Sequence, residues 1–358
     1  MTPGTAPQSR IAVIAIGRNE GQRLVDCLRS ALDSGADHVV YVDSGSTDGS
    51  VDTARQLGVE VVELDLSTPF TAARARNEGV ARLIEQQPET AFIQMIDGDC
   101  TLDHGWLDTA AAALIADPKL AVVCGRRRER FPDAAVYNRL ADMEWDTPIG
   151  PARSCGGDAL FRVEAFQQAG GYNPSVIAGE EPELCVRLRR AGWLIERLDA
   201  EMTLHDADMT RFSQWWKRNV RAGHAYAQGA HMHGKTDGHN VKQVRSIAFW
   251  GILIPLVIVG TAVLSLVFGT LGLALLATIC SGLGTLLALG YPVLFLKVAR
   301  YRTTRGDAFK PSLAYGFFTV LGKFANAQGL LHYHRNRLGN QPAQIIEYKA
   351  PAASEAAA

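Results

Sequence analysis

The chain contains 358 residues, and 36 Lys and Arg against 37 Asp and Glu give it a formal net charge of -1. That length is enough for two or three domains of ordinary size, and the balanced charge argues against a protein that binds nucleic acid. Apolar residues make up 47% of the chain. They are unevenly distributed, because residues 246–296 contain no Asp, Glu, Lys or Arg, whereas the rest has the composition of a soluble protein.

Cysteine usage and the two termini bear on the compartment. The six cysteines are spread along the chain, and none forms a CxxC pair. In a chain of this size such spacing is typical of reduced core thiols in a cytosolic setting. Residues 1–9 lack the apolar core of a signal peptide, so we predict a disordered lead there. We predict that residues 341–358 are a tail.

From Arg10 to about Leu120, short apolar runs rich in branched residues alternate with segments of helical spacing. The predicted strands are IAVIAIG (11–17), DHVVYVD (37–43), VEVVELD (59–65), TAFIQMID (90–97) and LAVVCGRR (120–127). Helices are predicted between them, at 20–35, 50–58, 70–87 and 104–118. Such alternation favours a mostly parallel sheet covered by helices on both faces. Ligands of such sheets bind at the carboxyl ends of the strands.

Polar side chains follow three of these strands. Asn19 and Glu20 follow the first strand, Asp43 ends the second, and Asp97 and Asp99 flank a glycine after the fourth. Carboxylate oxygens suit Mg²⁺ or Mn²⁺, which commonly bind through one or two carboxylates plus substrate phosphates. Taken alone, Asp-Gly-Asp also fits a tight turn with solvated acids. The prediction of a metal site therefore depends on acids at several neighbouring strand ends.

After residue 126 the pattern is less regular. We predict an amphipathic helix in GEEPELCVRLRRAGW (179–193), a strand in LIERLDAEMTLHD (194–206) that leads to His205, and a helix with two Trp in 211–234. One basic run is predicted to be a solvated face, and a contact with a phosphate or a lipid headgroup is the alternative: Arg126, Arg127, Arg128 and Arg130.

Residues 246–296 are long enough for two membrane spans, since one span needs about 20 apolar residues. We predict a helical hairpin with its bend at residues 268–272, where Gly and Thr separate two apolar runs. Basic residues flank both outer ends of the hairpin, so the positive-inside rule places both ends in the cytoplasm. A further apolar stretch, residues 312–331, contains Lys323 and two amides, and we interpret it as interfacial rather than spanning.

The sequence resembles the inverting family 2 glycosyltransferases, which have the A-type glycosyltransferase fold. The segments that carry the resemblance are RNEGQRLVDCLRSAL (18–32), VVYVDSGSTDGSVDTA (39–54), ARARNEGV (73–80), QMIDGDC (94–100), GGDALFRVEAFQQAGGYN (156–173) and GEEPELCVRLRRAGW (179–193). Each segment is a modest signal, but the ordered set over residues 11–193 is specific.

The resemblance implies an α/β fold in which a mostly parallel nucleotide-binding sheet is flanked by helices, followed here by a transmembrane helical hairpin. It implies a role for each matching position. The implied nucleotide-binding residues are Asn19, Glu20, Asp43, Ser46, Arg76, Asn77 and Asp97. The implied metal-binding residues are Asp99, Asp97 and His205, with Asp99 the more direct ligand. The implied catalytic acids are Glu181 and Glu180. Arg218 and Trp215, which lie beyond the matching segments, are assigned to the diphosphate or acceptor. The pair Trp215 and Trp216 also fits anchors of a core or an interface, which is the commoner role of such residues.

The implied chemistry follows from the leaving group. A sugar nucleotide leaves as a nucleoside diphosphate, and a divalent cation neutralises the charge that develops on it. One carboxylate removes the proton of the acceptor hydroxyl as general base. Glu180, Glu181 and Glu183 all lie in EEPE and compete for that role, and the resemblance favours Glu181. The same acids could instead only stabilise a helix N-terminus, where negative charge is favoured.

The sequence departs from processive members of the family, which carry a QxxRW motif. QWWKRN (214–219) lacks a Trp after Arg218, and two spans are too few for an export channel. We therefore predict a single addition, from a nucleotide-sugar donor to a lipid-linked or glycan acceptor, at the cytoplasmic membrane. Two other functions stay open: a nucleotidyltransferase, and a non-catalytic membrane scaffold or sugar-nucleotide sensor.

These interpretations divide the chain into six parts. The parts are a lead (1–9), a glycosyltransferase catalytic domain facing the cytoplasm (10–230), a linker (231–245), a transmembrane helical hairpin (246–298), an interfacial helical segment (299–340) and a tail (341–358).

Overall fold

The computed structural model describes residues 10–340, and the predicted lead and tail lie outside that range. The described chain divides between Met209 and Thr210 into two compact units, here called the N-terminal and the C-terminal unit. The predicted end of the catalytic domain at residue 230 differs from this division, because residue 230 lies inside a long helix of the C-terminal unit.

Within residues 10–209, the N-terminal unit contains nine strands and seven helices. The strands are β1 Arg10–Gly17, β2 His38–Asp43, β3 Glu60–Glu63, β4 Thr90–Asp97, β5 Cys100–Leu102, β6 Leu120–Glu129, β7 Gly150–Pro151, β8 Ala159–Arg162 and β9 Leu194–His205. The helices are α1 Gln22–Asp33, α2 Ser50–Gln56, α3 Ala72–Gln86, α4 Trp106–Ala116, α5 Val136–Trp145, α6 Val163–Gln168 and α7 Glu180–Arg190.

The strands form one sheet in the order β3-β2-β1-β4-β8-β6-β9-β5, and β7 pairs with β9. β1 is parallel to β2 and β4, and β6 is parallel to β9, but β8 is antiparallel to both of its neighbours. The α/β prediction is confirmed, whereas the sheet is mixed rather than mostly parallel. The prediction failed at β8 because ALFR is only four residues long and runs directly into α6.

A close approach of α3 to the sheet positions part of the site described below. A Cβ on Gly79 would lie 2.7 Å from Ile14 and 2.8 Å from Val42, which are core residues of β1 and β2. Only a glycine therefore lets α3 pack this closely. Thr71 caps the helix by accepting a hydrogen bond from the backbone N–H of Arg74 at 3.0 Å, which fixes its first turn beside the strand ends.

The C-terminal unit is helical. Its elements are α8 Phe212–Asp237, α9 Val241–Ala248, a π-helical segment Phe249–Leu253, α10 Ile254–Thr270, α11 Ala274–Ala288, α12 Gly290–Thr304 and α13 Phe309–Leu338. Among the described residues, two continuous helical stretches are long and apolar enough to cross a membrane, Val241–Thr270 and Ala274–Thr304. The hydroxyl of Ser265 on α10 donates to the carbonyl of Ala277 on α11 at 2.9 Å, so the two helices pack as a hairpin.

The predicted bend at residues 268–272 agrees with the turn between α10 and α11, where Gly272 has a φ of +73°. The predicted linker differs from the structure, because residues 231–237 end α8 and residues 241–245 begin α9. The helix predicted over residues 211–234 already covers the first four residues of that linker, and α8 continues to Asp237. The predicted interfacial segment begins inside α12, and α13 accounts for most of the remainder.

Candidate active site

The loop after β2 is organised around the carboxylate of Asp43, which is buried. Asp43 accepts hydrogen bonds from the backbone N–H groups of Gly45 at 2.8 Å and Ser46 at 2.7 Å. It also accepts from the hydroxyls of Ser46 at 2.5 Å and Tyr41 at 2.7 Å. These four bonds fix the loop in one conformation at the carboxyl end of the strand.

The loop after β1 is tied to the loop after β2 through Asn19. The backbone N–H of Asn19 donates to Ser46 Oγ at 2.9 Å, and its side-chain oxygen accepts from the N–H of Thr47 at 2.7 Å. Asn19 adopts a positive φ of 56°, which an Asn tolerates better than most residues. Glu20 follows and forms an ion pair with Arg23 at 2.9 Å. The four predicted nucleotide-binding residues of these two loops therefore lie at one edge of the sheet.

Arg76 joins two predicted residue sets that are far apart in the sequence. Its guanidinium is 2% exposed, with Nη2 2.7 Å from Asp97 Oδ1 and Nη1 2.9 Å from both Glu180 Oε1 and Glu181 Oε1. Burial disfavours the charged guanidinium, but the surrounding carboxylates outweigh it and raise the pKa of Arg76. Arg76 therefore stays protonated and offsets the negative charge of three acids.

The two acids begin α7, directly after Gly179, whose φ of 79° is left-handed. Both are buried, so they are more than solvated charges at a helix N-terminus. Burial and the neighbouring Glu180, opposed by Arg76, raise the pKa of Glu181 to about 7. Glu183 differs from them, because its carboxylate accepts from Arg187 on the next turn at 2.6 Å. A carboxyl with a pKa near 7 can exchange a proton at neutral pH, so Glu181 fits a general base.

Asp97 has a second basic neighbour that the sequence interpretation missed. Arg127 Nη2 lies 3.1 Å from Asp97 Oδ2, and Arg127 Nε lies 3.2 Å from Asp158 Oδ2. The guanidinium also stacks over the ring of Trp145 at 5.1 Å. The prediction of a solvated face is wrong for Arg127 and for the buried Arg126. Arg128 fits it better, since its half-exposed side chain pairs with Glu201.

Asp158, for which no role was predicted, lies in the same cluster. It is 0% exposed, accepts the backbone N–H of Asp97 at 3.2 Å and accepts the hydroxyl of Thr203 at 2.7 Å. Burial raises its pKa, and Arg127 opposes that shift. The available signal was the GGD of residues 156–158. A Cβ on Gly157 would lie 2.9 Å from Asp97 Oδ2 and 3.1 Å from Arg76 Nη2.

The best candidate metal centre lies beside this cluster. Asp99 Oδ2 is 3.5 Å from His205 Nε2, and one ligand atom from each of Asp99, Cys100 and His205 lies within 4.8 Å of the others. All three residues are buried, and the pairing of β5 with β9 sets Cys100 opposite His205. A carboxylate and an imidazole suit a divalent cation such as Mn²⁺. Both oxygens of Asp97 contact arginines, which favours Asp99 over Asp97 as the direct ligand.

Three predicted site residues lie elsewhere. The side-chain amide of Asn77 donates to the carbonyl of Tyr172 at 2.8 Å and accepts from its N–H at 2.9 Å, so Asn77 holds that loop. Arg218 and Trp215 lie on α8 in the C-terminal unit. Trp215 is 4% exposed, and its ring packs edge-on against Phe318 at 5.0 Å. The contacts of Trp215 are those of a core residue, and the diphosphate or acceptor role of this pair stays a prediction.

Residues 12–168 match the family model described as glycosyl transferase family 2. The matched region includes the carboxyl ends of β1, β2 and β4, and Arg76 of α3. It ends before α7 and β9, which supply the buried acid pair and His205.

Curated relatives match at modest identity. The succinoglycan biosynthesis protein ExoA of Rhizobium meliloti is 28% identical over 193 residues, which are 50% of this chain and 56% of the relative. The glycosyltransferase AglE of Haloferax volcanii is 22% identical over 252 residues, 67% of this chain and 79% of the relative. The matches therefore span from about half to four fifths of the length of these relatives.

A solved structure shares the fold. The mannosyltransferase PcManGT from Pyrobaculum calidifontis, in complex with GDP-Man and Mn²⁺, matches with a TM-score of 0.57 and 15% sequence identity. The match covers 90% of this chain and 87% of that chain.

Proposed function

We propose that the region matched by the glycosyl transferase family 2 model belongs to a domain that moves a sugar from a nucleotide-sugar donor to a hydroxyl acceptor with inversion at the anomeric carbon. The observation that carries the proposal is the ion cluster of Arg76. It links Asp97, at the end of a central strand, to the buried Glu181 of α7. A donor-side acid and an acid poised to accept a proton thus meet at the edge where such sheets bind ligands.

On the donor side, the loops fixed by Asp43 and Asn19 form the proposed nucleotide site. Asp99 and His205 would hold a divalent cation, Mg²⁺ or Mn²⁺, as their spacing and donor atoms fit. When bound, the ion supplies positive charge that stabilises the departing diphosphate. The solved neighbour binds Mn²⁺ and GDP-Man, which supports this assignment.

On the acceptor side, Glu181 removes the hydroxyl proton as the acceptor oxygen attacks the anomeric carbon. The new carbon–oxygen bond forms while the bond to the diphosphate oxygen breaks, so the nucleoside diphosphate leaves and the proton stays on Glu181. Direct displacement inverts the anomeric centre and needs no covalent enzyme intermediate. Arg76 holds Glu181 and Glu180 in place, and Glu180 is the alternative base.

We propose that α10 and α11 insert in the cytoplasmic membrane as a hairpin with both outer ends in the cytoplasm. The catalytic domain would then face the cytoplasm and meet a lipid-linked or glycan acceptor at the membrane surface. A single addition fits the absence of a QxxRW motif in the sequence.

The test is a donor screen on detergent-purified protein with GDP-, UDP- and dTDP-sugars, Mn²⁺ or Mg²⁺, and membrane lipid extract as the acceptor source. We expect nucleoside diphosphate release from one donor. Chelation of the metal and the substitution Asp99→Asn should each abolish this release. Asp103→Asn is the control and should retain it, because Asp103 is an exposed acid directly after β5. Release of pyrophosphate instead would indicate a nucleotidyltransferase. No release together with no nucleotide binding by calorimetry would refute the proposed transfer.

A further inference from the structure

His205 lies between two carboxylates, one in the turn between β4 and β5 and the other at the end of β6. Its Nε2 is 3.5 Å from Asp99 Oδ2, and its Nδ1 is 3.6 Å from Glu129 Oε2. The sheet register produces this arrangement, because β6 sets Glu129 beside His205 and β5 sets Cys100 on its other side. All of these side chains are buried, so each ring nitrogen faces an acid in a site shielded from water.

Glu129 is itself held in one orientation. The residue is 4% exposed, and its side chain is fully buried. Oε1 accepts from the backbone N–H of Phe131 at 3.1 Å and from the amide of Asn138 at 3.3 Å, and Oε2 accepts from the N–H of Ala207 at 3.1 Å. Because three donors fix the carboxylate, it presents a fixed acceptor toward His205 Nδ1.

The ring of His205 is also packed from the side. Trp145 on α5 meets it edge-on, with ring centroids 4.7 Å apart and an interplanar angle of 76°. Asn138, on the same helix, accepts from the N–H of Met209 at 3.0 Å and so ties α5 to the chain that follows His205. Helix α5 therefore fixes both the ring and the acid beside it.

We propose that Glu129 is a positioning residue for the metal ligand His205. A carboxylate on the Nδ1 side keeps the ring proton on Nδ1, so the lone pair of Nε2 points toward Asp99. Metal-binding histidines commonly use such an acid on the other nitrogen, and its loss typically weakens metal binding about 10- to 100-fold. This inference rests on the proposed metal-dependent function, because it concerns the same cation.

Two substitutions separate the charge of Glu129 from its size. Glu129→Gln keeps the size but places an amide N–H beside Nδ1, which favours the proton on Nε2 and removes the lone pair needed by the metal. Glu129→Asp keeps the carboxylate on a shorter side chain and should restore part of the effect. Glu201→Gln is the matched control, since Glu201 lies on the same strand as His205 but is half-exposed and pairs with Arg128.

The experiment measures Mn²⁺ binding to the detergent-purified full chain by electron paramagnetic resonance, with GDP and with UDP present in separate titrations. We expect Glu129→Gln to weaken Mn²⁺ binding by about 10- to 100-fold, Glu129→Asp to lie between it and the parent, and Glu201→Gln to match the parent. Nitrogen-15 spectra of labelled histidines, assigned with His205→Asn, should show the proton of His205 moving from Nδ1 to Nε2 in Glu129→Gln.

A double-mutant cycle distinguishes positioning from a general structural effect. If Glu129 acts through His205, adding Glu129→Gln to His205→Asn should change Mn²⁺ affinity little further, so the two effects are not additive. Full additivity, or an unchanged affinity in Glu129→Gln, would overturn the inference while leaving the metal site intact. Absence of Mn²⁺ binding by the parent with either nucleotide would instead overturn the metal site itself. If Glu129→Gln does not fold, Glu129→Asp takes its place in the cycle.

Discussion

Arg76 donates to Asp97 at 2.7 Å from a nearly fully buried guanidinium. The same cation contacts both acids at the start of α7, so one side chain connects the strand end that precedes the proposed metal site to the proposed base. A displacement of Arg76 would therefore disturb both Asp97 on the donor side and the acid pair Glu180 and Glu181 on the acceptor side.

We expect Arg76→Ala to destabilise the protein by about 3–5 kcal/mol, because removing one partner of a buried ion cluster leaves uncompensated charge. Thermal unfolding in detergent measures the effect as a lower midpoint. Arg82→Ala is the control on the same helix, where Arg82 is half-exposed and pairs with Glu60 and Glu85, and it should change stability by less than about 1 kcal/mol. Equal midpoints for the two variants would contradict the central role of Arg76.

Glu181 should set the pH dependence of turnover. Because the base must be ionised and its pKa is about 7, activity should rise as the pH increases through about 7. Glu181→Gln should lower turnover by about 10²- to 10⁴-fold, the usual contribution of a general base. Glu183→Gln, at an acid already engaged by Arg187, should keep most of the activity. If Glu183→Gln lost turnover and Glu181→Gln retained it, the general base would be Glu183 rather than Glu181.

The same pKa predicts a stability change of defined sign. The folded-state pKa of Glu181 lies above its ordinary value of 4.5, so the folded protein binds the proton more tightly than the unfolded chain. Its contribution to stability is full below about pH 4.5 and is lost as the pH rises through about 7. The thermal midpoint of the parent should therefore fall relative to that of Glu181→Gln over this window. A parent midpoint that stays constant or rises relative to that of Glu181→Gln as the pH increases would show that the pKa of Glu181 is not raised.

Gly157 offers a test with a neighbouring control. A methyl group at Gly157 would lie 2.9 Å from Asp97 Oδ2, whereas one at Gly156 would meet no atom within 4 Å. Gly157→Ala should displace Asp97 or Arg76 and lower turnover by up to about 100-fold, as expected for a misplacement near 1 Å. Gly156→Ala should leave turnover unchanged. The comparison uses initial rates at saturating donor, and similar rates for both variants would argue against tight packing at this position.

The parts of the molecule that sequence predicts well are those whose signal is local. Branched apolar runs identify β1, β2 and β4, because these strands are buried on both faces and can be recognised without knowing their partners. The Asp-Gly-Asp at the end of β4 and the acids at the start of α7 could be located because each lies at the end of an element that the sequence predicts. The break between α10 and α11 is equally local, since Gly272 has a left-handed φ.

The parts that were missed depend on pairing between distant strands. Arg127 and Glu129 both face the site because alternate residues of a strand point the same way, but a run of arginines gave no sign of which face was buried. Asp158 acts through its contact with the backbone of Asp97, 61 residues away. The antiparallel insertion of β8 that creates this contact has no counterpart in local periodicity.

A substitution of Asn77 distinguishes its predicted contact with the nucleotide from its observed contact with the backbone of Tyr172. Asn77→Ala would leave the N–H and carbonyl of Tyr172 without their partner, at a cost of about 1–3 kcal/mol per buried group. We expect a lower thermal midpoint with an unchanged KM for the donor. The opposite result, a raised KM with an unchanged midpoint, would restore the nucleotide-binding role. Both quantities are measured on the same preparation.

The hairpin predicts where charge is not tolerated. Leu256 on α10 is 65% exposed, and an Arg in the middle of a span costs about 2.5–3.5 kcal/mol on insertion scales. Leu256→Arg should therefore reduce the share of protein that resists carbonate extraction from membranes. Ile115→Arg, at an exposed apolar residue of α4, should not. Equal extraction of both variants would show that α10 is not in contact with lipid.

Orientation is tested at the turn of the hairpin. With both outer ends in the cytoplasm, the turn between α10 and α11 must lie at the opposite face of the membrane. A thiol introduced as Leu271→Cys, at an exposed turn residue, should react with an impermeant maleimide added to intact cells. Ile115→Cys should react only after lysis, because the N-terminal unit would be cytoplasmic. The reverse labelling pattern would place the catalytic domain outside the cytoplasm, where nucleotide sugars would have to be supplied across the membrane.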